Sequence, residues 1–217
     1  MTMSLAAPLS AALRDETATA HHDAENTDFM SALVRGELPR DGVVDLTAQY
    51  WFVYSALEEA VRRLPRDPVF AAIADRRLER VPALEADLAH LLGPEWRSAI
   101  VPTRATLAYA AQLDSFGPDD APAIVAHHYV RYLGDIAGGQ VIARMLSANY
   151  GLDAQALNFY DFSAVGKIPP FRARYREALD ALELTDAERA RLIGAAKEAF
   201  ALNQAVFTEL QGRCRNA

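Results

Sequence analysis

Apolar residues recur at intervals of three and four along almost the whole chain, whereas the alternating pattern of β-strands is scarce. One apolar stripe covers residues 43–61, and another covers residues 192–210 on a final helix that Thr185 is placed to cap. Short segments with proline or glycine interrupt the pattern at residues 63–68, 93–94, 101–102, 117–122 and 166–170. The pattern predicts an all-α fold of about seven or eight helices.

The breaks between the predicted helices are too short to be domain linkers, and we find no internal repeat. Hydrophobic residues make up 51% of the 217 residues, which is enough for a substantial core. We therefore expect one domain over residues 1–217, with short flexible termini at about residues 1–9 and 212–217.

The helix predicted over about residues 121–150 carries three glycines near its middle. Each glycine inside a helix costs roughly 1 kcal/mol relative to alanine. Gly134 and Gly138 are one turn apart and share a face, with Gly139 beside them. The sequence therefore predicts a kinked helix with a face free of side chains, on which Asp135 places one carboxylate.

Charge and cysteine content exclude several classes of function. The net charge of −7 argues against nucleic acid as the main partner, because nucleic-acid binding needs a basic surface. The single cysteine, Cys214, excludes internal disulfides, zinc ribbons and c-type haem attachment. We expect neither a signal peptide nor a membrane anchor, and the expected location is the cytoplasm.

The histidine positions are compatible with either a metal-binding or a structural role. His21 and Glu25 are one helical turn apart, and Arg14 shares their face. Glu25 could accept the Nδ1 proton of His21 and leave Nε2 free for a metal, although exposed His–Glu pairs are also common on helix surfaces. His127 and His128 are adjacent and point about 100° apart, so we expect one in the core or an interface and one at the surface.

Several polar residues interrupt apolar faces. Asn203 lies between two aromatic residues, Arg131 and Asp135 are one turn apart, and Tyr54 interrupts an apolar stripe. They could form a structural network or a hydrogen-bonded chain that holds water and relays protons. Arginines 172, 174 and 176 could form a solvated face or an edge that binds carboxylates.

Other helical enzyme classes lack their motifs. A di-iron carboxylate bundle needs two Glu-x-x-His motifs, and none is present. A thiol enzyme of the thiaminase type needs a cysteine inside the bundle, whereas Cys214 lies near the C-terminus. No GxSxG, Walker A or HExxH sequence occurs.

Four segments, which follow one another along the chain in the order found in the haem oxygenase family, together resemble that family. The most specific is AHHYVRYLGDIAGGQVIARML, which is similar to that family's Arg-Tyr-Leu-Gly-Asp-x-Ser-Gly-Gly-Gln signature. TATAHHDAENTDFM resembles the helix that carries the iron ligand, and WFVYSALEEAV and AFALNQAVFTEL also match. The overall pattern is most similar to the soluble bacterial members.

The resemblance implies a role for each candidate residue. His21 would ligate the haem iron with Glu25 as its hydrogen-bond partner, and Asp135 would hold a water network above the iron. The positions implied to complete that network are Tyr54, Arg131 and Asn203. The positions implied to contact haem are Arg14, Tyr129, Gly134, Gly138, Gly139, Arg172, Arg176 and Phe200. Ala137 departs from the family's usual serine and puts the fine tuning of the distal hydrogen bonds in doubt.

The resemblance also implies a reaction. Haem b would be both substrate and cofactor, O2 the co-substrate, and biliverdin, carbon monoxide and ferrous iron the products. Electrons would come from a soluble donor such as a ferredoxin, a flavodoxin or a reductase, and the expected state is a monomer. Two alternatives are a haem storage or sensor protein on the same scaffold and a helical bundle of unrelated function.

Overall fold

The computed structural model describes residues 7–66 and 68–216, and this part of the chain contains helices and turns but no strand. Its α-helices are α1 (Leu9–Glu16), α2 (Ala18–Glu25), α3 (Asp28–Arg35), α4 (Arg40–Val61), α5 (Pro68–Ile73), α6 (Val81–Leu92), α7 (Trp96–Ala99), α8 (Arg104–Ser115), α9 (Ala121–His128), α10 (Gly134–Tyr150), α11 (Ile168–Asp180) and α12 (Asp186–Asn216). The all-α prediction is confirmed. The helices outnumber the seven or eight expected, because some are very short and because single positions such as Thr17 divide others.

Part of each terminus that is expected to be flexible lies within the described residues. Residues 1–6 and 217 lie outside the described residues. Leu9 already begins α1 and is buried, and residues 212–216 continue α12. Within the described ranges, no helix is long and apolar enough to cross a membrane.

The core is built around α9, all eight residues of which are buried between α4, α12 and the neighbouring turns. His127 and His128 are therefore both buried, and the expectation of one surface histidine is wrong because α9 has no solvent face. The ring of His128 accepts or donates a hydrogen bond at 2.7 Å to the Tyr175 hydroxyl. Burial lowers the pKa of His127 to about 4 and that of His128 to about 3.

Helix ends follow local sequence signals. The Thr185 hydroxyl accepts from the Glu188 amide, while the Glu188 carboxylate accepts from the Thr185 amide, so a capping box starts α12 as predicted. The Thr27 hydroxyl caps α3 by accepting from the Met30 amide, and Gly36, with φ of 73°, ends it.

A π turn interrupts the glycine-containing helix, in which the sequence predicts a kink. Tyr129–Leu133 is a stretch of π-helix that joins α9 to α10, so the helix runs from Ala121 to Tyr150 as predicted. An inserted π turn widens the helix locally, and such insertions occur often at functional sites. The irregularity therefore comes just before Gly134 rather than at the glycines, which themselves have helical geometry.

The irregular segment 152–165 is fixed by two buried charged residues. The Asp87 carboxylate accepts from the backbone amides of Asn158 at 2.8 Å and Phe159 at 2.9 Å. The Arg80 guanidinium donates to the carbonyl of Asp161 at 2.6 Å. These bonds hold the 3-10 turn Asn158–Tyr160 against α6 and α10.

Candidate functional site

A cleft of about 480 Å³ separates the N-terminal helices from the π turn and α10. Its wall on one side comes from α1 and α2, and α11 closes one end. A smaller cavity of about 110 Å³, called the distal cavity below, adjoins it and shares with it His21, Val130, Gly134 and Phe200. The distal cavity extends to Asp135 and Asn203. Together these spaces reach the size of pockets that take drug-sized ligands and cofactors.

His21 stands at the junction of the two spaces. Its ring meets the Phe200 ring edge to face, with centroids 5.7 Å apart. Its Nε2 lies 3.4 Å from Oε1 of Glu25. The contact is at Nε2 and not at the Nδ1 atom expected from the sequence, because the ring extends along the helix towards a residue one turn ahead. The side chains of both residues are about half exposed or more, so this pair is weak and readily exchanged.

Positive charge gathers at the α11 end of the cleft. Arg14, Arg172 and Arg176 line the cleft together with Tyr129. Burial raises the pKa of Tyr129, and the three arginines lower it in part, which places their charges around the phenol. Arg14 also pairs with Asp15 at 2.8 Å. The Nε atom of Arg172 is buried and has no hydrogen-bond partner in the described part of the chain.

Arg131 is the centre of a polar network on the other side. Its Nε donates to the Tyr54 hydroxyl at 3.3 Å, and its Nη1 donates to Oδ1 of Asn203 at 2.6 Å. Tyr54 in turn donates to the Asp135 carboxylate. The guanidinium carbon lies 4.6 Å from the centre of the Tyr50 ring. The structure thus brings together four polar residues that α4, the π turn, α10 and α12 each supply.

The surroundings of Asp135 change the pKa of its carboxyl. Burial raises the pKa of its carboxyl, while the Arg131 charge and the Tyr54 hydrogen bond lower it in part. The raised pKa brings the carboxyl nearer to the range in which a group exchanges protons at neutral pH. The second guanidinium nitrogen of Arg131, Nη2, lies 3.9 Å from the Asp135 carboxylate and has no hydrogen-bond partner among the described residues.

The three glycines differ in what their missing side chains allow. A Cβ at Gly134 or Gly138 would meet nothing within 4 Å, so both face open space. A Cβ at Gly139 would come to 3.2 Å from Cδ1 of Tyr160, so this glycine makes room for a protein ring. Ala137, also on the cleft wall, is exposed.

Two phenols that line the distal cavity, those of Tyr50 and Tyr160, are not among the site residues predicted from the sequence. Tyr50 lies one turn before Tyr54 on α4 and could have been found from helical spacing. Tyr160 is on a 3-10 turn, where helical periodicity gives no signal.

Comparison with known proteins places the chain in a family. The family model described as "Heme oxygenase" matches residues 7–209. Human "Heme oxygenase 1" is 39% identical over 206 residues, which cover 94% of this chain and 72% of that protein. "Heme oxygenase 1" of Nostoc sp. is 33% identical over 92% of this chain and 84% of that protein.

Solved structures agree with the fold as well. The crystal structure of heme oxygenase-1 from the cyanobacterium Synechocystis sp. PCC6803 in complex with heme superposes with a TM-score of 0.89 at 31% identity, covering 96% of this chain and 95% of that one. The heme oxygenase structure from Leptospira interrogans gives a TM-score of 0.86 at 30% identity, covering 93% and 99% of the two chains. The chain therefore belongs to the haem oxygenase family.

Proposed function

We propose that the cleft binds haem b as substrate and cofactor, and that the chain uses O2 and external electrons to cleave it to biliverdin, carbon monoxide and ferrous iron. One observation carries this proposal: an imidazole, that of His21, and a helix face with glycines lie on the same cleft, beside a buried carboxyl. That combination suits a flat ligand with a metal at its centre.

The donor set of the cleft fits haem. The open space at Gly134 and Gly138 leaves room for a flat macrocycle close to the α10 backbone. Three arginines at one end match two propionate carboxylates, and the unpaired Nε of Arg172 is a free donor there. Neutral imidazole is a common iron ligand in haem proteins.

His21 is the proposed iron ligand. Ligation through Nε2 requires that Glu25 release this atom, and the exposed pair contributes at most about 1 kcal/mol. Glu25 can then accept from Nδ1, as carboxylates do for metal-bound histidines. Phe200 supports one side of the ring.

The propionates are assigned to Arg14, Arg172, Arg176 and Tyr129. Arg14 is exposed and bound to Asp15, so it can exchange this partner for a propionate with little penalty. Tyr129 keeps its proton, because burial raises its pKa, and it can therefore donate to a carboxylate.

Asp135 is assigned the control of proton supply. Bound haem supplies the iron and the ring carbon that is oxidised, and the chain supplies orientation and protons. Asp135 would hold a water in the distal cavity and pass a proton through it. Tyr54 and Arg131 fix this carboxyl, and Asn203 fixes Arg131. A storage or sensor protein would not need this network, so the network favours the oxygenase.

Electrons must come from another protein. We assign this role to a small soluble carrier of the ferredoxin or flavodoxin type, or a reductase, because exposed arginines 174 and 176 beside the cleft would complement an acidic partner. The cytoplasmic location and the monomeric state stay predictions from the sequence.

A haemin titration followed by ascorbate in air tests the function, with catalase present to remove free peroxide. The proposal predicts a Soret band that saturates at one haem per chain and then decays as biliverdin forms. If the band forms but persists with ascorbate and also with a functional electron donor, the storage alternative replaces the proposal. If no saturable band forms, the cleft does not bind haem.

A further inference from the structure

Tyr160 has a fixed position at the distal cavity, although it lies in a 3-10 turn and not in an α-helix. The Asp87 carboxylate fixes its 3-10 turn through the amides of Asn158 and Phe159. On the other side its ring contacts Gly139, whose added Cβ would come to 3.2 Å from Cδ1 of Tyr160. The phenol is therefore held against α10, in the turn that follows Asp135.

The distal cavity holds one buried polar atom without a partner. The Nη2 atom of Arg131 has no hydrogen-bond partner within the described part of the chain, and Arg131 is only 4% exposed. Tyr160 lines the same cavity. Buried polar groups normally find a protein or water partner. The cavity of about 110 Å³ has room for water, which occupies about 30 Å³ per molecule in the liquid.

The phenol of Tyr160 is protonated and can therefore act as a hydrogen-bond donor. Burial raises its pKa well above the ordinary value, and the negative charges of Asp135 and Asp87 and the neighbouring Tyr50 phenol raise it further, while Arg131 lowers it. These four groups face Tyr160 from α4, α6, the π turn and α10. Tyr160 therefore keeps its proton at every pH at which the protein would work.

We propose that Tyr160 is a further positioning residue for haem cleavage, whose hydroxyl donates to a water that the Asp135 carboxylate holds in the distal cavity. This inference rests on the proposed function. Tyr54 holds the Asp135 carboxylate from α4, and Tyr160 holds the water from segment 152–165. Tyr160 and Asp135 then hold the water between them. Its orientation, and with it the direction in which it can donate a proton, is thereby fixed.

The variant Tyr160→Phe removes the hydroxyl and keeps the ring that packs on Gly139. Tyr150→Phe is the matched control, because the Tyr150 hydroxyl donates to the Leu33 carbonyl at 3.0 Å and lines neither cavity. The first readout is the pKa of the Asp135 carboxyl in the haem-free protein, measured by carbon-13 NMR titration. The second readout is the rate of biliverdin formation, with haem affinity measured in parallel.

In Tyr160→Phe, the carboxyl loses a water-mediated donor, so we expect its pKa to rise by roughly 0.3 to 1 unit. We expect biliverdin formation to slow several-fold at unchanged haem affinity, and Tyr150→Phe to change neither quantity. An unchanged Asp135 pKa in Tyr160→Phe, or equal changes in both variants, would overturn the inference. If the pKa shifts but the parent protein cleaves no haem, the contact stands while the proposed function fails, and with it the role in cleavage.

Discussion

The two walls of the cleft are built differently. On the wall formed by α1 and α2, the side chains of His21, Glu25 and Arg14 are 48%, 64% and 74% exposed and pair with acidic neighbours on the same helix or with each other. On the wall formed by the π turn and α10, Arg131 is 4% and Asp135 14% exposed, and both bind residues from distant helices. The residues proposed to control proton supply are therefore held by the core, whereas the residues of α1 and α2 proposed to contact haem stay adjustable at the surface.

The helices themselves explain this difference. Ala24 is the one buried residue of α2 within the described chain, so little packing fixes the orientation of His21. All residues of α9 are buried, so the π turn that carries Arg131 starts from a fixed position. The polar network around Arg131, which is proposed to serve the reaction, and the surfaces proposed to contact haem make separable predictions, because changes to each should affect different quantities.

Asp135→Asn should have the largest effect, on rate alone. The side chain keeps its size and can still accept from Tyr54, but it no longer titrates. Acid–base groups typically contribute 10²–10⁴-fold, so biliverdin formation should slow by about 100-fold or more, with haem affinity within a few-fold. Stopped-flow spectra of single turnovers and a haem titration would measure the two quantities. Biliverdin formation at the parental rate would remove Asp135 from the reaction.

Gly138→Leu should affect binding instead. Its side chain would enter the open space on the cleft side of α10, so haem affinity should fall by about 30-fold or more through lost shape complementarity. Gly194→Leu is the matched control, because Gly194 is likewise a helical glycine at which an added Cβ would meet nothing within 4 Å, and it lines neither the cleft nor the distal cavity. Equal haem affinities of the two variants would show that the glycine face does not receive the substrate.

Arg172→Met tests the cationic end of the cleft, with Arg174→Met as control. Arg172 lines the cleft, whereas Arg174 is exposed and stands 5.8 Å from the Phe171 ring. Loss of one charge-assisted hydrogen bond should weaken haem binding by about tenfold, and added salt should weaken the parent more than the variant. If both variants bind haem alike, the propionates lie elsewhere.

His127→Gln should give the smallest effect, on the pH dependence of stability. Burial lowers the pKa of His127 to about 4, so between pH 6.5 and 4 the unfolded chain binds a proton that the folded chain does not. The free energy of unfolding therefore falls as the pH falls through this window, by about 1.4 kcal/mol per unit for this one proton. Urea denaturation at pH 7, 6 and 5 should show a shallower slope in the variant. Identical slopes would mean that His127 is protonated in the fold.

Helical spacing predicted the fold well where it repeats over many turns. The long helix over residues 121–150 and the cap at Thr185 were both predictable, because each depends on local sequence. The burial of both His127 and His128 was not predictable, since it depends on α4 and α12 enclosing α9. The π turn also escaped prediction, because no single residue type specifies it.

The site residues likewise divide into those that helical spacing predicts and those that only the fold brings together. Arg131 and Asp135 were recognisable from their spacing, and the structure brings them together with Tyr54 and Asn203. Tyr160 was not, because it reaches the cavity through a turn fixed by Asp87, whose importance lies in long-range hydrogen bonds. Sequence patterns report neighbours along a helix, whereas contacts between distant segments require the fold.

The most direct test of the account compares haem spectra of the parent, His21→Ala and His22→Ala. His21 lines both the cleft and the distal cavity, whereas His22 is exposed and bonds to Asn26 of its own helix. The account predicts that the parent and His22→Ala share a histidine-ligated Soret spectrum, and that His21→Ala loses it until imidazole is added. A histidine-ligated spectrum retained by His21→Ala, and lost by His22→Ala, would contradict the assignment of His21 as the iron ligand.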